Sequence, residues 1–274
     1  MAFREGYHWL TRPPLGAMVD VAHPLAQGLV GCLLTNEIGN GTLFSSWIPG
    51  PANSLTLASG AAAPTWTGGQ DGPALKFVSG SSQFCSNTTA VPFSNYPLSV
   101  TCWFNTTSIT APQAIWCTGK NSATSVTLDL RLNATGHVAC NAAGGSSAIS
   151  GAAAVANTWS HAAGVWASAT SRAAYLNGGS LGTSAISVGF PSGMNETDLG
   201  ALVGSTRGTF FSGKLAVLKM WSIALTTDLV EWDYNEPYAM ILPPNHRRWF
   251  VPASGVRPKP PLIYLPPLNP ALFE

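Results

Sequence analysis

A chain of 274 residues with 9% charged and 46% hydrophobic side chains, in which 13 basic residues balance 12 acidic ones to a net charge of +1, has no long run of one sign. It therefore lacks the positive field on which nucleic-acid binding relies, and nucleic acid is not an expected partner. The first twenty residues hold Arg4, Glu5, His8, Arg12 and Asp20 with no apolar run of signal-peptide length, and no later stretch approaches a membrane span, so the expectation is synthesis in the cytoplasm and no membrane partner.

Taken in order, residues 1–24 combine Phe3, Tyr7, His8 and Trp9 with Arg12-Pro13-Pro14 and His23-Pro24, a proline density that predicts an irregular arm lying on a partner surface. A strand is predicted over 25–34, followed by the Gly39-Asn40-Gly41 turn, and a further short one over 54–58. After the turn-rich 60–72, residues 74–78 and 83–86 read as a hairpin. The run 98–105 is the most strand-like in the chain. Segments 114–118, 125–132 and 137–142 follow at the spacing of a β-sandwich. Small residues fill 142–156, which predicts a surface loop or an edge strand. Trp159, His161, Ala163 and Val165 alternate with smaller residues, and Arg172, Ala174 and Leu176 continue the period. These are two strands of a hairpin, closed by Asn177-Gly178-Gly179. Strands over 181–188, 199–204 and 211–221 complete the set. One helix is predicted, with Thr226 as N-cap, Asp228 in its first turn and Pro237 beyond its end. Residues 243–274 hold nine prolines among Trp249, Phe250, Tyr264 and Phe273, which predicts a second, polyproline-like arm. The division is thus an arm over 1–24, a body over 25–242 and an arm over 243–274. Five cysteines (Cys32, Cys85, Cys102, Cys117 and Cys140) are an odd number with no close pair, so they read as buried free thiols.

Three groups of residues, in order, carry a family likeness: Pro24-Leu25 with Gly28-Leu29 and Asn36-Glu37; Trp159, His161, Tyr175, Asn177 and Gly178; and Phe211, Gly213, Leu215, Val217, Trp221, Leu225 and Thr226. Over residues 24–242 the chain resembles the laminin-G-like, concanavalin A-like jelly roll. The resemblance implies an all-β fold, a two-sheet antiparallel jelly-roll sandwich with one short C-terminal helix, flanked here by the extended Pro-rich arms. That fold hosts lectins, adhesion modules, hydrolases and virion proteins, so it does not fix function. The run 235–239 with 246–251 is similar to modules of phage structural proteins.

Candidate sites follow from both readings. Glu231-x-Asp233-x-x-Glu236 resembles the carboxylate strand of glucanases on this fold, but in a helix residues two apart project roughly 200° from each other, so no catalytic residue is assigned. The family often holds calcium at a loop rim. Its Phe-Asp-Gly turn is here Phe77-Val78-Ser79-Gly80, which leaves the loop bearing Asn195 and Asp198 as the candidate metal site, with Asp129 elsewhere. His161 reads as a structural strand residue. Trp103, Trp159, Trp166 and Trp221 read as core, whereas Trp47 and Trp66 fall in loops and are the candidates for glycan stacking. The sequons at Asn40, Asn87, Asn105, Asn133 and Asn195 are of the kind an Asn/Thr-rich chain produces by chance. The expectation is a non-enzymatic virion structural protein: a phage capsid decoration, fibre or tail component. Its arms, through Phe3, Tyr7, Trp9, Trp249, Phe250, Tyr264 and Phe273, bind other copies of itself and other virion proteins. The alternative is a lectin-like glycan-binding adhesion module that uses surface glycans, with or without calcium; no other cofactor is expected.

Overall fold

The strict alternation of residues 98–105 becomes the longest uninterrupted ladder. The computed structural model describes residues 13, 17–35, 41–123, 125–143 and 146–242. In chain order its strands are β1 (Met18–Val19), β2 (Leu29–Leu33), β3 (Leu43–Phe44), β4 (Leu55–Leu57), β5 (Thr65–Gly68), β6 (Pro73–Phe77), β7 (Cys85–Asn87), β8 (Leu98–Thr106), β9 (Gln113–Gly119), β10 (Thr127–Leu132), β11 (His137–Ala142), β12 (Ser146–Ala153), β13 (Ser160–Ser168), β14 (Ser171–Leu176), β15 (Gly179–Ser184), β16 (Glu196–Leu199) and β17 (Gly213–Trp221). The helix α1 (Thr227–Asn235) and β18 (Ile241–Leu242) follow. The arm residues Phe3, Tyr7, Trp9, Trp249, Phe250, Tyr264 and Phe273 lie outside the described residues.

Two antiparallel sheets form the sandwich. The first runs β12-β11-β10-β9-β16-β7-β4-β3, and the second β15-β14-β13-β8-β17-β6-β5, with β2 also paired to β17. Period two sends alternate side chains inward: Val100, Cys102 and Phe104 from β8 meet Leu128 and Leu130 from β10 and Val138 and Cys140 from β11 in one apolar core. The Trp116 and Trp166 rings pack at 6.0 Å. Trp166 Nε1 donates to the Asn141 carbonyl at 2.8 Å, a hydrogen bond from one sheet to the other. All five cysteines are buried and free, and burial pushes the Cys32 thiol up to about 12.

The second sheet carries a further layer on its outer side. There β8 presents Ser99, Thr101 and Trp103 while β13 presents His161, Ala163 and Val165, the residues between the core positions. Helix α1 lies over them, with Val230 packed in the cluster of Ala163, Val165, Tyr175 and Trp221. Its N-cap is Thr226, whose side chain accepts from the Leu229 N–H, and Asp228 stands in the first turn, as the sequence predicts. At one edge the two sheets close on each other through β12 and β15. A Cβ on Gly182 would stand 1.6 Å from the Ile149 carbonyl oxygen, so only glycine fits that crossing.

Four expectations are corrected. Residues 74–78 and 83–86 are not a hairpin: β6 pairs β5 and β17, whereas β7 pairs β4 and β16. A 3-10 turn at Ser79–Ser81 and Ser82 at φ 51° carry the chain from one sheet to the other, because alternation marks a core face without saying which sheet owns it. The strand over 181–188 ends at Ser184. The acidic loop holding Asp198 is the strand β16. Nor is all of 1–24 irregular, since Met18 pairs with Leu242 and Val19 with Ile241 in a two-stranded ribbon.

Candidate functional site

Beneath α1 the outer face of the second sheet holds an ionic cluster. Lys219 of β17 donates from Nζ to Asp233 Oδ1 and to the Pro237 carbonyl. His161 Nε2 lies 3.2 Å from Asp233 Oδ2, and Thr101 Oγ1 donates to the same oxygen at 2.8 Å. Each of the four residues is at most 1% exposed. Burial alone would raise the Asp233 carboxyl; the Lys219 ammonium and the His161 contact overcome it and hold the group down at about 2. Such a cluster fastens the helix to the sheet and admits no substrate. Glu231 is exposed on the opposite side of α1 from buried Asp233, so the glucanase-like motif forms no cleft. The sequence reading placed His161 correctly in its strand, but its partner stands 72 residues away and leaves no local signal.

A small, shallow cleft opens beside the cluster, lined by Gln70, Asp71, Trp103, Trp159, Val217 and Tyr238 among others. Trp103 stacks on Tyr234, ring centroids 5.6 Å apart and 18° from parallel, and lies 5.5 Å from the His161 ring. Two buried nitrogens here, Trp103 Nε1 and His161 Nδ1, have no hydrogen-bond partner in the protein. Val217 adopts φ 52° where β17 is irregular between Ala216 and Lys219, a conformation that β-branched residues rarely take. Trp103 and Trp159 are thus half-buried walls of a cleft, not members of the sandwich interior. The sequence could not distinguish the two, because both faces of this sheet are covered.

The expected glycan residues are placed elsewhere. Trp66 lies in β5, not in a loop, and its ring meets Phe44 edge-on at 6.1 Å while Nε1 donates to the Gly41 carbonyl at 2.9 Å. Trp47 packs against the outer-face cluster with Leu25 and Cys32. Each packs against a different apolar cluster.

Asn195 and Asp198 do not converge on a cation. Asn195 exchanges hydrogen bonds with Asn121, through Oδ1 at 3.0 Å and Nδ2 at 3.1 Å. Arg207 Nε donates to Asp198 Oδ2 at 2.7 Å, its Nη2 donates to Glu196, and its Cζ stands 4.0 Å from the Phe84 ring centroid. A guanidinium thus occupies the place a calcium ion would need. Burial pushes the Asp198 carboxyl up to about 7, against the pull of Arg207, with Glu196 adding to the rise. Asp129, on the same outer face of the first sheet, pairs with Arg131 at 3.2 Å and accepts from Asn141 at 2.8 Å. Among the described residues no group of three or more His, Cys, Asp and Glu is arranged to hold a metal.

A sequence model described as the Concanavalin A-like lectin/glucanases superfamily matches residues 79–231, more than half of the chain. The chain belongs to this superfamily. No curated protein matches it by sequence. Among solved structures, this lectin/glucanase-type sandwich is similar to a Trypanosoma rangeli sialidase in complex with 2,3-difluoro-KDN, with a TM-score of 0.56 at 12% identity over 80% of this chain and 36% of that one. It is also similar to domain 4 of AbnA, an extracellular GH43 arabinanase from Geobacillus stearothermophilus, in complex with arabinotriose. Here the TM-score is 0.51 at 17% identity, over 74% of this chain and 96% of that domain. The superfamily member spans about a third of the sialidase's length, and at these identities the likeness is one of fold.

Proposed function

We propose that this superfamily member is a non-enzymatic structural component of a virion, a displayed jelly roll held in place by its two Pro-rich terminal segments. Its partners in this reading are other copies of itself and other virion proteins. The observation that carries it is the β1–β18 ribbon. Pairing of Met18 with Leu242 and of Val19 with Ile241 brings the roots of both terminal segments to one place on the body and leaves the rest of the sandwich available for display. Met18 and Val21 are 65% and 73% exposed beside those roots, apolar surface of the kind that marks an interaction site. The absence of catalysis is supported by the sealing of the cluster in which an amine, an imidazole and a carboxylate meet. The test is the mass of the full-length chain by light scattering, together with protease treatment. Self-association, with both terminal segments protected, is expected; a monomer trimmed readily at both ends would overturn the reading.

A second reading, glycan binding, rests on the cleft. The half-buried walls Trp103 and Trp159 suit the apolar face of a sugar ring laid across the mouth of the cleft. A glycan array with added arabinotriose tests it, with Trp159→Ala as the control that should abolish the signal. Chelator is expected to have no effect, because Arg207 and Asn121 engage the residues first considered for calcium.

A further inference from the structure

Between Arg131 and Glu196 the only formally charged residue is Arg172, and it is buried at 1% exposure. Everything this stretch exposes is therefore uncharged. It also contains half of the exposed large hydrophobic side chains found among the described residues: four of eight, namely Ile149 at 46%, Val155 at 63%, Leu181 at 47% and Ile186 at 64%. All four belong to the edge where the sheets close. Ile149 lies on β12 and Leu181 on β15, and Val155 and Ile186 lie just beyond the ends of these strands. The backbone contacts of Gly182 with Ile149 and of Gly151 with Ser180 and Leu181 run in opposite chain directions, so Val155 and Ile186 fall at opposite ends. At about 3.3 Å per residue, six residues from Ile149 to Val155 and four from Gly182 to Ile186 spread the four side chains, among small uncharged residues, along a stripe of about 30 Å.

Resting on the assembly reading above, we infer that this stripe is the docking site for residues 260–273 of a neighbouring copy. That segment, Pro-Pro-Leu-Ile-Tyr-Leu-Pro-Pro-Leu-Asn-Pro-Ala-Leu-Phe, carries no charge, whereas the stretch joining it to β18 contains Arg247, Arg248, Arg257 and Lys259. Uncharged surface meets uncharged segment, and no ion is desolvated on contact. The lengths agree as well. Fourteen residues in polyproline form extend about 43 Å, enough to cover the stripe, and the whole run of 32 residues after Leu242 reaches about 100 Å, far enough to leave its own body. Proline fixes the backbone before binding, so the segment loses little conformational entropy when it docks.

The experiment uses the full chain with a photo-crosslinking amino acid in place of Leu181, mixed from isotope-labelled and unlabelled preparations and read by mass spectrometry, beside the Ile149→Glu/Leu181→Glu variant measured by light scattering. The expected result is crosslinks joining position 181 to peptides from 260–273 of a different copy, and self-association weakened by about tenfold or more in the double variant. Association that persists unchanged in the variant, or crosslinks that land only on β12 or β15 of the other copy, overturns the docking site while leaving assembly through the termini intact. A full chain that stays monomeric overturns the assembly reading and this site with it.

Discussion

Replacing Lys219 with Met tests whether the cluster beneath α1 is what fastens the helix to the second sheet. Methionine keeps the stem in its apolar surroundings, so the perturbation is chiefly electrostatic. The substitution removes the ammonium that bonds Asp233 and the Pro237 carbonyl and leaves a buried carboxylate supported only by Thr101 and His161. Breaking a buried pair by deleting one partner costs about 3–5 kcal/mol. For a domain of this size each kcal/mol lowers Tm by about 2–4 °C, so a fall of about 6–20 °C is expected by calorimetry. Adding Asp233→Leu removes the stranded charge, and the double variant should recover at least about half of the loss, the remainder being Thr101 and His161 deprived of their acceptor. A fall of less than about 2 °C in the single variant, or a double variant no more stable than the single, would refute the assignment.

Three further outcomes follow from the same geometry. Asp233 sits at about 2 in the folded protein against 3.8 for the free group, so its contribution is present above pH about 4 and is lost as pH falls towards about 2, a change of about 2 kcal/mol. Asp198 works in the other sense. Held at about 7, it keeps a proton that the unfolded chain releases, so stability declines as pH rises from about 4 to about 7 and then levels. Urea midpoints should peak near pH 4, and a steady rise to pH 8 would contradict this balance. Gly182→Ala places a Cβ against the Ile149 carbonyl and should cost about 1–3 kcal/mol in chemical denaturation, because the atoms it meets are backbone and cannot rotate away. Thr226→Ala removes the cap of α1 and should cost about 1 kcal/mol, seen as a lower Tm with the β-sheet circular dichroism unchanged.

The parts of this molecule that a reader of the sequence can find are those whose cause is local. β8 announces itself by alternation, α1 by Thr226 and Pro237, and the hairpin of β13 and β14 by its turn. What escapes is fixed by residues far apart. β6 and β7 look like a hairpin because each has a core face, and only their partners show that the faces belong to different sheets. β16 looks like an acidic loop because Glu196 and Asp198 are poor strand-interior residues until Arg207 is folded over them. The cleft escaped for the same reason: Trp103 occupies an ordinary strand position, and its place on the outer face depends on α1, which begins more than a hundred residues later.

The ion pairs show where so sparsely charged a chain places part of its charge. Lys219 with Asp233 secures a helix to the outer face of one sheet, Arg207 folds over Glu196 and Asp198 on the other, and Arg131 pairs with Asp129 within β10. Charges placed this way hold outer elements in register and contribute little to solvation. The exposed edge strands are left to Ser, Thr, Ala and Gly with a few large apolar side chains, a surface that resists neither its own kind nor a proline-rich segment. An edge that exposes no charge between Arg131 and Glu196 has weak electrostatic means of keeping other chains away. On the assembly proposed above, the β12–β15 edge and the β1–β18 ribbon would take complementary parts.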